Sequence, residues 1–166
     1  MTIRGKIWCF GDNINTDLMV PQAALYLPPA QQTRFVFAAN RPGWTDLVQA
    51  GDIIVGGKNF GAGSARPAAR SLRNLGVACL LAESLNGLFF RNAVNFGFLA
   101  LECPGLHAAA TEGEMLDVSV EKWEARLADS SRRFAIRPIA EQLHALMREG
   151  GVFPYLEKRG LIAPDA

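Results

Sequence analysis

Cysteine is scarce in this sequence. Cys9, Cys79 and Cys103 are widely separated, with no C-x-x-C between any two of them. That excludes a readable zinc site and a complete iron–sulfur site, and the odd count argues against a disulfide framework. Histidine is scarcer: His107 and His144 have no partner at metal-ligand spacing, so no metal is expected on this chain. An excess of one charge is missing too. Seventeen Lys and Arg against sixteen Asp and Glu give a net charge of +1, which lacks the basic field that nucleic-acid binding needs. No apolar run reaches membrane-spanning length, and the opening Met1-Thr2-Ile3-Arg4-Gly5-Lys6 lacks the apolar core of a signal peptide. A cytoplasmic protein without membrane or nucleic-acid contacts is the expectation.

The composition that remains is that of a globular protein. At 166 residues, 49% hydrophobic and 20% charged, the chain is expected to fold as one domain over residues 1–166. A first strand is predicted over Ile3 to Phe10, followed by a turn-rich loop at 11–17. Pro21, Pro28, Pro29 and Pro42 limit the next segment to short helical pieces such as Gln31 to Ala39, with His107 further on in a loop. The middle third reads β-loop-α-β-α-β: strands at 52–56, 77–82 and 98–101, helices at 66–75 and 84–96. Cys9 and Cys79 fall in strand-like segments and read as small buried hydrophobes. Short antiparallel strands follow at 115–120, 124–128 and 133–136, and a helix from Pro138 to about Glu149 carries His144 and ends at Gly150-Gly151. The pattern is a three-layer α/β domain with a mixed sheet.

Residues 57–66, Gly57-Lys58-Asn59-Phe60-Gly61-Ala62-Gly63-Ser64-Ala65-Arg66, carry the chemistry. The β-branched run Ile53-Ile54-Val55 feeds a glycine-bearing loop that delivers a serine and an arginine to the expected start of a helix at Pro67. Free N–H groups at a helix start, together with a guanidinium, would make a pocket for a small anion. Two other readings compete for these loops. Asn13, Asn15 and Asp17 are spaced like the first ligands of a calcium loop, but Leu18 and Ala24 stand where its glycine and glutamate belong. Gly61-x-Gly63 with Glu83 about 20 residues on evokes a dinucleotide fingerprint, yet Arg66 takes the third glycine position and four residues separate strand from turn. Taken alone, Ser64 and Arg66 also read as a helix N-cap and a solvent-facing arginine.

Four segments in order resemble the small subunits of the isopropylmalate dehydratase group in the aconitase superfamily. Asp12-Asn13-Ile14-Asn15-Thr16-Asp17 with Pro21 is similar to the D-x-x-x-T-D-x-x-x-P signature, and Asn59 to Arg66 to the N-F/Y-G-x-G-S-S-R loop. The stretch from Glu83 to Gly97, with Arg91-Asn92 and Asn95, and the tail Gly150-Gly151-Val152-Phe153-Pro154-Tyr155-Leu156 match two further family segments. The resemblance implies a three-layer β/β/α swivelling domain and a hydro-lyase acting on a small hydroxy-dicarboxylate, isopropylmalate or a related alkyl-malate. It implies no cofactor on this chain and a [4Fe–4S] cluster on a separate large subunit, without which the chain is inactive. It makes Ser64 the base, Arg66 the carboxylate clamp, and Gly63, Ala65 and Asp17 further substrate-binding positions. The chain departs from the pattern at Ala65, where relatives have a second serine, and at Pro67 and Ala68, where glutamate and histidine are common. Arg34 is the only cation of segment 28–34, where relatives often carry a substrate-contacting arginine. A non-catalytic anion-binding or regulatory relative of the same fold, and a nucleotide-binding module, remain the alternatives.

Overall fold

The computed structural model describes residues 2–164. In chain order the elements are β1 (Thr2–Phe10), α1 (Thr16–Met19), α2 (Pro29–Gln32), β2 (Ile53–Gly56), α3 (Ala68–Asn74), β3 (Cys79–Ala82), α4 (Gly87–Asn95), β4 (Ala100–Glu102), α5 (Leu106–Ala109), β5 (Met115–Ser119), β6 (Glu124–Leu127), β7 (Arg133–Ala135), α6 (Glu141–Arg148) and α7 (Val152–Glu157). Short 3-10 turns at Gln22–Tyr26, Thr33–Phe35 and Trp44–Asp46 fill the proline-bearing segment. No helix among the described residues is long and apolar enough to cross a membrane.

The strands form one mixed sheet in the order β4-β3-β2-β1-β5-β6-β7. β1 belongs to two pairing patterns. Its second half runs parallel to β2, from Ile7 opposite Ile53 to Phe10 opposite Gly56. Its first half runs antiparallel to β5, from Thr2 opposite Ser119 to Lys6 opposite Met115. Gly5 sits next to this changeover, where any Cβ would collide with the carbonyl oxygen of Gly51, so only glycine fits.

The central strands are apolar on both faces, which is why Ile53-Ile54-Val55 shows no alternation. On one face Ile7, Val55, Leu81 and Leu101 meet Leu116, Val118 and Leu127 from the antiparallel half. On the other face Phe10, Ile54 and Leu80 meet Leu72 of α3, Phe89 of α4 and Met147 of α6. The layers are therefore antiparallel sheet, parallel sheet and helices, the β/β/α arrangement. Each fully buried Leu, Ile or Phe in these two cores contributes roughly 1.5–3 kcal/mol.

Several boundaries differ from expectation, each for a local reason. The helix predicted over 31–39 is α2 plus a 3-10 turn, because Phe37 turns to φ 58° and its N–H binds the carbonyl of Met19. There Phe37 stacks on Phe10 at 4.1 Å between ring centroids, with Trp44 edge-on to both. The closing helix begins at Glu141 and not at Pro138, since Ala140 before it is extended with ψ 138°. His107 lies on α5, not in a loop, and the tail that includes Pro154 forms α7.

Candidate active site

The loops that follow β1, β2 and β3 leave the same end of the parallel sheet, where chain reversals in α/β folds leave room for chemistry. Pairing continues beyond the strands and welds these loops together. Asn15 bridges Ala62 in parallel fashion, and Phe60 bridges Leu85. Gly61 donates to the carbonyl of Ile14 at 2.8 Å, and Thr16 N–H donates to that of Ala62 at 2.7 Å. The Thr16 hydroxyl lies 2.6 Å from the Ser64 carbonyl and 3.1 Å from that of Ala62. Gly63 adopts φ 97°, and a Cβ there would strike the amide oxygen of Asn15, so this turn requires glycine.

This weld brings together residues nearly fifty positions apart. The Ser64 hydroxyl donates to Oδ1 of Asp17. Arg66 Nε donates to the same Oδ1 at 2.8 Å and to Ser64 Oγ at 3.1 Å. Its Nη2 reaches Oε1 of Gln22 at 3.3 Å, while Nη1 is buried with no hydrogen-bond partner. Arg66 is itself mostly buried, with 14% of its side chain exposed, whereas Ser64 and Ala65 face solvent. The Ser64 hydroxyl and, after it, the Arg66 guanidinium hold the Asp17 carboxyl below the usual carboxylate value, so it is ionised at neutral pH.

The anion cradle expected from a helix start is not the source of positive charge here. Arg66 precedes a proline and stays out of the helix; Pro67, with ψ 42°, occupies the cap position and α3 begins at Ala68. The N–H of Ala69 is bound by Oδ1 of Asn92 at 3.2 Å. Ser64 caps nothing; its side chain turns to Asp17. The electropositive element is the guanidinium.

The residues behind the calcium and dinucleotide readings are engaged in structural bonds. The oxygens of Asn13 and Asn15 accept from Asn59 Nδ2 and from Asp17 N–H, and no group of metal-ligating side chains assembles among the described residues. Glu83 accepts from the backbone N–H of Gly105 at 2.8 Å. Burial pushes the thiols of Cys79 and Cys103 up to about 12, and Cys9 sits half-buried on β1. Arg34 lies exposed on its 3-10 turn. Gln22 joins the site with nothing in its local sequence to mark it; only the fold brings it to Arg66.

The profile of the aconitase C-terminal domain matches residues 12–106, more than half of the chain. The chain is 37% identical over 159 residues to the isopropylmalate/citramalate isomerase small subunit of Methanocaldococcus jannaschii, covering 95% of each. It is 35% identical over 161 residues to 3-isopropylmalate dehydratase small subunit 1 of Thermotoga maritima, covering 95% of this chain and 96% of that one. The crystal structure of a 3-isopropylmalate dehydratase from Methanocaldococcus jannaschii superposes with a TM-score of 0.91 at 27% identity, covering 97% of this chain and 96% of that chain.

Proposed function

This chain belongs to the aconitase C-terminal domain family, and we propose that it is the small subunit of a two-subunit, cytoplasmic hydro-lyase. Its substrate on this reading is a small hydroxy-dicarboxylate of the isopropylmalate or citramalate kind, and residues 1–166 form one swivelling domain. The observation that carries the reading is the convergence of Asp17, Ser64 and Arg66 on one exposed edge.

Dehydration of such a substrate breaks a C–H bond beside a carboxylate and a C–O bond on the neighbouring carbon. The electron pair of the first becomes the new C=C. The C–O pair leaves with the hydroxide, which becomes water on taking up one proton, balancing the one removed from carbon. Ser64 Oγ takes the carbon's proton. A serine hydroxyl is a weak base, so the arrangement must help it. Asp17, ionised, holds the hydroxyl hydrogen, and Arg66 Nε faces the same oxygen and stabilises charge that develops there. As Oγ gains the substrate proton, its own passes to Asp17, which then releases it to water. Arg66 grips a substrate carboxylate by two parallel bonds once its guanidinium swings out, Nη2 leaving Gln22 and Nη1 leaving its buried position. Gly63 lets the backbone approach the substrate, and Ala65 flanks it with a methyl where relatives place a hydroxyl.

The chain's own thiols do not fit an iron–sulfur cluster: two are buried and protonated, and the three sit apart, on β1, on β3 and just after β4. On this reading the cluster that the family resemblance implies sits on the large subunit, where it would polarise the substrate hydroxyl. The large subunit also closes over the exposed serine and excludes water.

Anaerobic reconstitution with a cluster-bearing large subunit tests the reading, with ultraviolet absorbance of the enoate product as the signal. Turnover of an alkyl-malate by the complex, and by neither subunit alone, is expected. A complex that forms but turns over no dicarboxylate overturns the proposal in favour of a non-catalytic anion-binding relative, the alternative prompted by Ala65 and Pro67.

A further inference from the structure

Three asparagine side chains lace the loops after β1, β2 and β3. Their polarity is fixed at one end. Asn86 caps α4, its Oδ1 accepting from the N–H of Leu88 at 3.0 Å. Only the amide oxygen can do this, so its Nδ2 points away and donates to Oδ1 of Asn59 at 3.3 Å. Asn59 therefore has its oxygen committed and turns its own Nδ2 to Oδ1 of Asn13, at 3.0 Å. Asn59 and Asn13 both sit at positive φ, 52° and 55°, a region that asparagine enters more readily than other side chains. Backbone bonds alongside, Asn13 N–H to the Lys58 carbonyl and Asn59 N–H to Ser84 Oγ, keep the three loops at that spacing. One laced loop runs on to Asp17 and another to Ser64.

We propose that Asn59 is a positioning residue: the one-way amide chain from Asn86 through Asn59 to Asn13 sets the loop of Asp17 in register with the loop of Ser64. The proposal rests on the function argued above. A chain of amides can run in either direction, but it cannot end in two acceptors. Asn13→Asp keeps the acceptor that Asn59 now uses. Asn86→Asp keeps the helix cap, and Asn59 and Asn13 then rotate their amides to run the chain the other way. Aspartate suits both positions, a helix cap and a left-handed turn. In the Asn13→Asp, Asn86→Asp double variant, the Asn59 oxygen must face a carboxylate whichever way it turns.

The test is a double-mutant cycle read in two ways, kcat of the reconstituted complex and urea unfolding of the full chain alone. Each single variant is expected to keep kcat within about threefold. The double variant should lose about tenfold beyond the product of the singles, with KM changed less than about threefold and a non-additive shift in urea midpoint. In an Asn59→Gly chain, which permits the same φ without the amide, that excess should vanish. Additive unfolding effects, or the same excess in the Asn59→Gly chain, overturn the amide chain itself. Coupled unfolding with additive turnover overturns the positioning role. A wild-type complex without dehydratase turnover overturns the proposed function, and the urea cycle still decides the amide chain.

Discussion

The hydroxyl of Thr16 donates to the carbonyl oxygen of Ser64 across 2.6 Å, so the residue beside Asp17 holds the backbone of Ser64. Two loops from different strands are joined there by one side chain. Thr16 is 2% exposed, and its hydroxyl is a buried donor in contact with two carbonyls.

Thr16→Val removes that donor and keeps the shape. Both carbonyls retain a backbone donor, Thr16 N–H for Ala62 and Arg66 N–H for Ser64. The stability cost should stay near that of one neutral bond, about 0.5–1.5 kcal/mol by urea unfolding. Turnover should fall further, about tenfold or more, because displacing a reacting group by a fraction of an ångström is costly. Loss of turnover no greater than the loss of stability would make Thr16 a packing residue only.

Ser64→Ala should leave assembly with the large subunit intact, since Ser64 is exposed and caps no helix. Turnover should fall by about 10²–10⁴-fold, the range for a lost proton transfer. Steady-state assay of the reconstituted complex checks this. Undiminished turnover would remove Ser64 as the base.

Arg66→Lys keeps the charge but loses the planar fork that reaches Asp17, Ser64 and Gln22 together. The expected effect is a rise in KM of about 10- to 100-fold, the scale of one charge-assisted hydrogen bond. Equal kinetic constants in variant and wild type would dismiss the clamp.

Asp17 gives a pH prediction with a definite sign. Its carboxyl titrates below the ordinary 3.8 because the Ser64 hydroxyl, and then Arg66, favour the charged form. A depressed folded value means the stabilisation is fully present above the unfolded value and is lost as pH falls through the folded one. From about pH 5 upward the trio should be insensitive to acid at this group. Carbon-13 chemical shifts of the Asp17 carboxyl should show a midpoint below 3.8, moving upward in Ser64→Ala. A midpoint at or above 3.8 in the wild type would mean that the carboxylate is not held as described.

The thiols of Cys79 and Cys103 should be silent in the folded chain. With Cys79 and Cys103 pushed up to about 12, roughly one in 10⁴ is thiolate at pH 8, and burial blocks access as well. An alkylating reagent followed by mass spectrometry should label these two only after unfolding. Rapid labelling of either in the native protein would contradict the packing of the core around them.

The parallel half of the fold was readable because its signals are local. Ile53-Ile54-Val55, the apolar face of α4 and the stop at Gly76 each fit within a short window. Phe37 is the opposite case. Its positive φ is set by Phe10 and Met19, which lie far off in sequence, so no window around residues 31–39 announces the break. At the site, residue types and order pointed to Ser64 and Arg66 and the family resemblance to Asp17, but their meeting depends on the Asn15–Ala62 bridge, a tertiary contact. α3 starts later than its sequence suggests because Pro67 suits a first helical turn as well as the cap position it takes. Gln22 has no sequence signal; it reaches Arg66 because the 3-10 turn at Gln22–Tyr26 follows α1 directly.

The double pairing of β1 governs the order in which this protein can mature. During synthesis Thr2–Phe10 leaves the ribosome well before its parallel partner Ile53–Gly56 and long before its antiparallel partner Met115–Ser119. Both are long-range closures, which favours slow folding. A nascent chain that ends before β5 can assemble the parallel half while Ile7, Val55 and Leu81 still lack their cover. That half-built surface is sticky, and chaperone dependence should concentrate in the interval before residues 115–135 emerge.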